Sequence, residues 1–307
     1  MPRGPEHYEE HIQSRKVQPP PVLYKYTTAE TARTILKSGT LRYQSPRNYN
    51  DPFDSQWDIF WRVPERERSL LDHALRDPTT WPKETDPRWR AELERQVARI
   101  AAFPESDRDR LLDEMLAEGI SSQVVQVRED QLRRMRVFCL CAEDRSLLMW
   151  SHYAEQHCGV LLGFDTGTLE QAFHRPVEQV QYRAELPDLV DADAYARSSI
   201  FGLPTPLLPK VSLDGWALFK SADWEYEKEW RFAWNAPKGT LGDYGYYPLP
   251  GAALAEVVVG CRTKPEDAVE IKRCAVAIQP KVRLGHMSLC RGRFELIKNL
   301  EDNRGVP

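Results

Sequence analysis

Three short apolar runs constrain the fold of this chain more than any other feature of its sequence. They read RVFCLC at Arg136–Cys141, GVLLGF at Gly159–Phe164 and AEVVV at Ala255–Val259. Runs of this length are typical of strands buried in a sheet, whereas helices in a core are longer. Segments with helical spacing separate the runs, so the sequence predicts a mixed α+β core.

A strand–helix–strand unit is predicted before the first of these runs. Its elements are Val22–Tyr26, Thr28–Ser38 and Leu41–Ser45. Thr27 and Glu30 have the spacing of a capping box, and Gly39 suits the left-handed residue that follows a helix. The other predicted elements are helices at Ser146–Gln156, about Leu213–Ser221 and 264–277, and strands at Val177–Tyr182, Val282–Cys290 and Arg293–Ile297.

Residues 64–131 differ in composition from the rest of the chain. They are rich in Arg, Glu, Leu and Ala at helical spacing, which predicts a helical insertion within a single α+β domain over residues 22–300. Charges of both signs are typical of solvated helix faces, although the insertion could also bind a partner protein. We expect a flexible arm at residues 1–21 and a tail at residues 301–307.

The overall composition is that of a globular protein. Of the 307 residues, 29% are charged and 41% hydrophobic, and 42 basic against 46 acidic residues give a formal net charge of −4. This balance offers no global attraction to nucleic acid. No apolar run approaches the roughly 20 residues of a membrane helix, and the N-terminus lacks the apolar core of a signal peptide. With six cysteines, mostly in apolar segments, we predict a cytoplasmic protein with reduced thiols and no membrane contact.

The run Trp224–Phe232, WEYEKEWRF, is the strongest candidate for a functional strand. Residues alternate between the two faces of a strand. One face would carry Glu225, Glu227, Glu229 and Arg231, and the other would carry Trp224, Tyr226, Trp230 and Phe232. A row of carboxylates that ends in a guanidinium is suited to an active site. The same pattern also fits an ordinary outer strand with a solvated face.

Two clusters near the N-terminus are further candidates. On the first strand, Lys25 alternates with Tyr24 and Tyr26, so one face offers a cation and the other offers aromatic rings. The sequence NDPFD at Asn50–Asp54 favours a sharp turn held by its own side chains, with Phe53 as an apolar pin. Alternatively, Asp51 or Asp54 is a ligand or an orienting carboxylate beside a pocket.

The sequence WSHYA at Trp150–Ala154 is predicted to lie on a helix. Large aromatic side chains on a helix usually pack into a core. Tyr153 and His152 could instead form the wall of a pocket in which rings stack on a flat ligand.

Several specific chemistries can be weighed against these clusters. Zinc-ligand residue types occur without a recognised zinc spacing at Cys139, Cys141, His152 and His157, so we predict no metal site. Cys158 beside His157 is the only hint of a cysteine nucleophile. No glycine-rich phosphate loop is present. A metal nuclease of the Glu-x-Lys type needs an acid at position 226, where the chain has Tyr226. Oxygen ligands for a divalent metal nevertheless remain at Asp51, Asp54, Glu227 and Glu229.

The order of several motifs resembles a bacterial domain family of unknown function. These motifs are LYKY, NDPFD, LLMWSHYA followed by GVLLGFD, and the segment from Lys220 to Arg231 with E-x-E-W-R. The resemblance covers about Val22 to Ile297 without the helical insertion. Some members of the family resemble toxin or phage-defence effectors, which gives a context for this chain.

A second resemblance is to the ADP-ribosyltransferases. The stretch from Thr34 to Leu41 fits the pattern I-L-x-x-G-x-L that ends the first helix of that fold, and E-x-E resembles its late acidic strand. The resemblance implies a mostly antiparallel central sheet, NAD as cosubstrate and Glu229 and Glu227 as catalytic residues. It also implies cofactor-binding roles for Lys25, Tyr26, Ser45, Tyr153 and Arg231.

Three hypotheses about function therefore follow from the sequence. The first is an ADP-ribosyltransferase-like enzyme or NAD glycohydrolase whose acceptor is an unidentified protein or nucleic acid. The second is a metal-dependent nuclease or phosphodiesterase. The third is a non-catalytic module that binds a partner through its helical insertion.

Overall fold

The computed structural model contains two compact units. It describes residues 17–56, 60–117, 129–130, 132–188, 190–204, 213–237, 239–240 and 242–301. The first unit comprises the described residues of Met1–Ser55, Arg133–Glu185 and Trp216–Pro307, and the second comprises those of Gln56–Leu132 and Leu186–Gly215. The proposed single domain over residues 22–300 stays a prediction.

The first unit is built on a large mixed sheet. Its strands are β1 (Val22–Thr27), β2 (Thr40–Gln44), β3 (Met135–Cys141), β4 (Val160–Asp165), β5 (Glu178–Gln179), β8 (Glu229–Asn235), β9 (Tyr244–Pro248), β10 (Leu254–Val259), β11 (Arg283–Leu289) and β12 (Leu296–Leu300). The order is β12-β11-β10-β4-β1-β3-β2-β9, and β8 pairs with both β3 and β5. Neighbouring strands are antiparallel except β10 and β11. The predicted α+β class with a mixed, mostly antiparallel sheet is confirmed.

The sheet is split beside β3. One edge of β3 pairs with β8 along its whole length, from Met135 to Cys141. The other edge meets β1 only at the Tyr24–Cys141 pair and β2 only at the Gln44–Val137 pair. Between these two contacts, no described strand pairs with that edge of β3. The backbone of β3 therefore borders an opening in the sheet.

Helices of the first unit pack on this sheet or follow its strands. They are α1 (Ala29–Ser38), α5 (Leu147–Tyr153), α6 (Thr166–Phe173) and α9 (Pro265–Ile278). The core contains Leu23, Phe138, Leu162, Phe164, Phe232 and Val257, each at most 1% exposed. The three apolar runs predicted as buried strands are therefore β3, β4 and β10.

The cap of α1 is one residue later than predicted. Thr28, not Thr27, is the N-cap, and its hydroxyl accepts a hydrogen bond from the amide of Thr31 at 3.1 Å. Gly39 ends the helix in the left-handed conformation with φ 63°, as predicted. The predicted Thr27–Glu30 capping box is wrong because the hydroxyl that closes the first turn belongs to Thr28.

The WEYEKEWRF segment is not a single strand. Residues Ala222–Glu227 form a 3₁₀ helix that ends at Lys228 in the left-handed conformation, with φ 43°. Strand β8 begins at Glu229, where Glu229 and Arg231 share one face and Trp230, Phe232 and Trp234 lie on the other. The strand interpretation is therefore wrong for residues 224–228 and confirmed from Glu229 onward.

Other boundaries also differ from the prediction. The helix predicted over Leu213–Ser221 is a short helix α8 (Leu213–Trp216), and the chain continues as strand β7 (Phe219–Ser221), which pairs with β6 (Gln181–Arg183). The pattern did not predict α6 or β9. Residues 1–16 of the predicted arm and residues 302–307 of the predicted tail lie outside the described residues.

The second unit is helical among its described residues. Its helices are α2 (Val63–Arg76), α3 (Pro87–Ala101), α4 (Arg108–Ala117) and α7 (Ala192–Phe201). They share a core that includes Leu75, Trp81, Leu93, Leu112 and Phe201. The predicted helical character of residues 64–131 is confirmed for α2, α3 and α4. No described helix of either unit has the length and apolarity to cross a membrane.

The position of the α1 cap can be tested by substitution. We expect Thr28→Ala to lower the free energy of unfolding by about 1 kcal/mol, because the amide of Thr31 loses its acceptor. Glu30→Gln is the control and should change stability by no more than a few tenths of a kcal/mol. Urea denaturation followed by circular dichroism measures both. An unchanged stability for Thr28→Ala would show that this hydroxyl does not cap the helix.

Candidate active site

A cavity of about 690 Å³ lies at the split in the sheet. Its wall includes the open stretch of β3, the neighbouring part of β1, the hydroxyl-bearing face of α1 and part of β2. The charged residues Lys25, Glu30, Arg42, Asp54, Lys220, Glu227, Glu229 and Arg231 also line it. Ligand pockets in proteins have volumes of about 300–1,000 Å³, so the cavity can hold a ligand of cofactor size.

Arg231 is the centre of a buried ionic cluster on this wall. It is 1% exposed and uses two nitrogens to bind each of two carboxylates. Its Nε and Nη2 donate to Glu229 at 2.9 and 2.7 Å, and its Nη1 and Nη2 donate to Asp54 at 2.7 and 2.6 Å. Nη1 also donates to the carbonyl of Ala217 at 2.7 Å. These five bonds use the five N–H groups of a guanidinium.

Lys220 is the second cation of the cluster. It lies on β7 and donates to Glu227 and, at 3.3 Å, to Glu229. Its Nζ is 3.4 Å from Asp54 Oδ2 and 4.9 Å from the centre of the Trp224 ring. Burial alone would lower the pKa of Lys220, but the charges of Glu229 and Asp54 outweigh burial and raise the pKa.

With Glu227 ionised, the cluster has three carboxylates against two cations, which is an excess of one negative charge. Buried charges of this kind are tolerated when they are paired and hydrogen-bonded. Arg231 and Lys220 each form ion pairs with both Asp54 and Glu229. This excess lies on the cavity wall, where Lys25 also interacts electrostatically with Glu229 and Glu227.

Glu227 and Glu229 differ in protonation behaviour. Burial raises the pKa of Glu229, but Arg231 and Lys220 more than compensate and lower it to about 2. Burial and the charge of Glu229 raise the pKa of Glu227, and Lys220 and Tyr153 only partly oppose them. Glu229 is thus a fixed anion, whereas Glu227 is the stronger base of the two.

Tyr153 connects helix α5 to the cluster. Its hydroxyl donates to Glu227 Oε1 at 2.6 Å, and it lines the cavity. Tyr153 is the last residue of α5, which places its ring at the end of the helix. Burial, and then Glu227, raise the pKa of Tyr153, so the hydroxyl keeps its proton and stays a donor.

The NDPFD loop supplies one residue to the cluster. Asp51 accepts a hydrogen bond from the amide of Phe53 at 2.8 Å, as expected for a stapled turn. Asp54 accepts two hydrogen bonds from Arg231 and lines the cavity. Phe53 is 59% exposed, so its predicted role as an apolar pin is wrong.

Lys25, Tyr26 and Ser45 are placed differently from one another. Lys25 reaches across the split in the sheet, where its Nζ donates to the carbonyl of Cys139 at 3.1 Å, and burial lowers its pKa. Tyr26 lines the cavity, but its hydroxyl donates to the carbonyl of Glu143 and its ring packs edge-on against Trp150. Ser45 is fully buried and caps a short 3₁₀ helix at Pro46–Asn48. Ser45 is not one of the lining residues.

The cofactor-binding role expected for Arg231 is also corrected. Its N–H groups are used within the protein, so it orients the two carboxylates instead. Tyr49 and Tyr182 support the cluster without any signal in the sequence. The Tyr49 ring lies 5.5 Å from the guanidinium of Arg231, and the Tyr182 hydroxyl accepts a hydrogen bond from the amide of Glu229 at 2.8 Å.

The thiols of Cys139 and Cys141 are poor candidates for nucleophiles. Burial raises the pKa of both Cys139 and Cys141 to about 12, which keeps these thiols protonated at neutral pH. His157 shares a hydrogen bond with Ser151 at 3.2 Å. In the part of the chain that is described, no three His, Cys, Asp or Glu side chains are arranged to hold a metal ion.

The part of the chain that contains most of this cluster matches a known family model. Residues 149–232 match a family model described as protein of unknown function (DUF2971). The match supports a relation to an uncharacterised domain family over about a quarter of the chain. It includes Tyr153, Lys220, Glu227, Glu229 and Arg231. No curated protein and no solved structure matched the chain.

The buried charge of Glu229 should govern the acid stability of the protein. Its pKa is about 2 in the folded chain and 4.5 ordinarily, so its contribution to stability is present above pH 4.5 and is lost as the pH falls toward 2. We expect Glu229→Gln to lower the free energy of unfolding at pH 7 by about 3–5 kcal/mol, since Arg231 loses a buried partner.

Urea denaturation at several pH values tests this expectation. The difference between the wild type and Glu229→Gln should shrink as the pH falls below 4.5. Glu225→Gln is the matched control, because Glu225 is exposed two residues before Glu227, and it should have almost no effect. A difference that does not change with pH would contradict the low pKa of Glu229.

Proposed function

We propose that the chain binds NAD in this cavity and cleaves the bond between nicotinamide and ribose, transferring ADP-ribose to an acceptor or to water. The observation that carries the proposal is the carboxylate cluster with excess negative charge on the wall of a cavity of cofactor size. The mostly antiparallel sheet and the E-x-E spacing of Glu227 and Glu229 are consistent with the resemblance to ADP-ribosyltransferases.

The negative cluster suits the charge that develops during this reaction. As the glycosidic bond breaks, its electron pair leaves with nicotinamide and the ribose becomes cationic. Carboxylates already held in place stabilise that cation without reorganising, and the effect is strong where water is excluded. Arg231, Lys220 and Tyr153 hold the carboxylates in the required positions.

Glu227 and Glu229 have different roles in the proposed mechanism. Glu227, with its raised pKa, is the residue that accepts the proton of the attacking hydroxyl or amine while the acceptor donates an electron pair to the ribose carbon. Glu229 remains ionised and supplies charge through its low pKa. We therefore assign the essential proton transfer to Glu227 and the electrostatic stabilisation of the ribosyl cation to Glu229.

The cellular setting is part of the same proposal. The six cysteines of the chain are free thiols, which is consistent with the reducing conditions of the cytoplasm. A bacterial toxin or phage-defence effector that consumes NAD or modifies a protein or nucleic acid would act there. Lys25, Tyr26 and Tyr153 line the cavity and are the predicted cofactor-binding residues that the proposal retains.

Turnover of NAD tests the proposal. We expect the purified full chain to release nicotinamide from NAD, and Glu227→Gln to reduce kcat by at least about 100-fold because no base then accepts the proton. The melting temperature in the presence of NAD should still rise for this variant, since the amide preserves the shape of the site. Glu225→Gln is the control and should turn over NAD like the wild type.

Two results would contradict the proposal. One is a wild-type protein whose melting temperature and nicotinamide release do not respond to saturating NAD. The other is full activity in Glu227→Gln. Cleavage of RNA or DNA that requires magnesium and stops with EDTA would favour the nuclease hypothesis instead.

A further inference from the structure

The mouth of the cavity carries an exposed aromatic and cationic surface on β2 and β9. These strands pair antiparallel, and Arg42 lies directly opposite Tyr246. Tyr246 is 65% exposed and Tyr244 is 43% exposed. The Arg42 guanidinium lies 4.9 Å from the centre of the Tyr244 ring. Arg42 and Tyr246 both line the cavity.

Strand β9 presents two contrasting faces. Tyr247 faces the core, where its hydroxyl accepts a hydrogen bond from Trp234 at 2.9 Å and its ring packs against Tyr43. Tyr244 and Tyr246 alternate to the opposite face, away from that core. A tyrosine that is more than half exposed at a cavity mouth gains little from burial, and its ring is free to stack on a flat ligand.

The two cations at this end of the cavity make no direct ion pair among the described residues, although Glu229 and Glu227 interact electrostatically with Lys25 over a longer range. Neither Lys25 nor Arg42 forms an ion pair with a described residue, in contrast to Lys220 and Arg231. Lys25 donates to a carbonyl and Arg42 packs on a ring. The cavity therefore offers two cationic side chains near β1 and β2 that have no carboxylate within ion-pair distance among the described residues, and the carboxylate cluster near Glu227.

We propose that Tyr246, Arg42 and Lys25 bind an adenosine diphosphate group, with the base stacked on Tyr246 and the diphosphate held by Arg42 and Lys25. An aromatic ring beside two cations without carboxylate partners has the chemistry that recognises a nucleoside diphosphate. The inference rests on the proposed function in that this group is one half of NAD. The other half then extends toward Glu227.

Calorimetric titration of the full chain with ADP and with pyrophosphate tests the site without catalysis. We expect Tyr246→Ala to weaken ADP binding about tenfold and to leave pyrophosphate binding unchanged, because only ADP has a base to stack. Arg42→Ala should weaken both ligands about tenfold. Tyr246→Phe should bind ADP like the wild type. Phe294→Ala, at a residue that is 98% exposed and does not line the cavity, is the control.

The outcomes separate this inference from the proposed function. ADP binding that is absent in the wild type, or unchanged in both Tyr246→Ala and Arg42→Ala, would overturn the nucleotide site even if NAD is cleaved. ADP binding that depends on both residues would support the site even if NAD is not cleaved, and the proposed function would then fail alone. Glu227→Gln should bind ADP normally in either case.

Discussion

The buried pairing of Arg231 with Asp54 and Glu229 is the interaction on which the candidate site depends. A guanidinium that is fully removed from water is stable only if each of its donors has an acceptor. Here the acceptors come from the loop after β2, from β8 itself and from the residues before β7. The hydrogen bonds of Arg231 therefore hold these three segments together beside the cavity.

This constraint also explains why two glutamates so close in sequence behave differently. The left-handed residue Lys228 turns the chain between them, so Glu229 enters the sheet beside Arg231 while Glu227 remains at the end of a 3₁₀ helix. Glu229 accepts hydrogen bonds from the two cations Arg231 and Lys220. Glu227 accepts hydrogen bonds from Lys220 and from the hydroxyl of Tyr153. Both glutamates line the cavity at the split beside β3.

Local patterns predicted the elements better than they predicted the site. The apolar runs of β3, β4 and β10 need no partner to be recognised as buried strands. The 3₁₀ helix at Ala222–Glu227 was missed because alternation of aromatic and acidic residues is compatible with a strand, and the deciding feature is the left-handed conformation of Lys228. Strand β9 was missed because its exposed tyrosines alternate with a glycine and a single core residue.

The predicted site residues divide in the same way. Glu227, Glu229 and Tyr153 were identified from their motifs, and the structure brings them together on one wall. Arg231 has an acceptor for each of its N–H groups only because Asp54 lies beside it. Asp54 is 177 residues away in sequence, so no local pattern predicts this pairing. Ser45 was expected to bind the cofactor from the resemblance to ADP-ribosyltransferases, and the structure uses it as a cap.

A crystal structure of Glu227→Gln with NAD would test the central claim most directly, because this variant should bind the dinucleotide without cleaving it. We expect intact NAD in the cavity, with the nicotinamide ribose within hydrogen-bond distance of residue 227 and the adenine against Tyr246. NAD bound elsewhere on the protein, or a cavity without NAD at saturating concentration, would contradict the assignment of this cluster as an NAD-cleaving site.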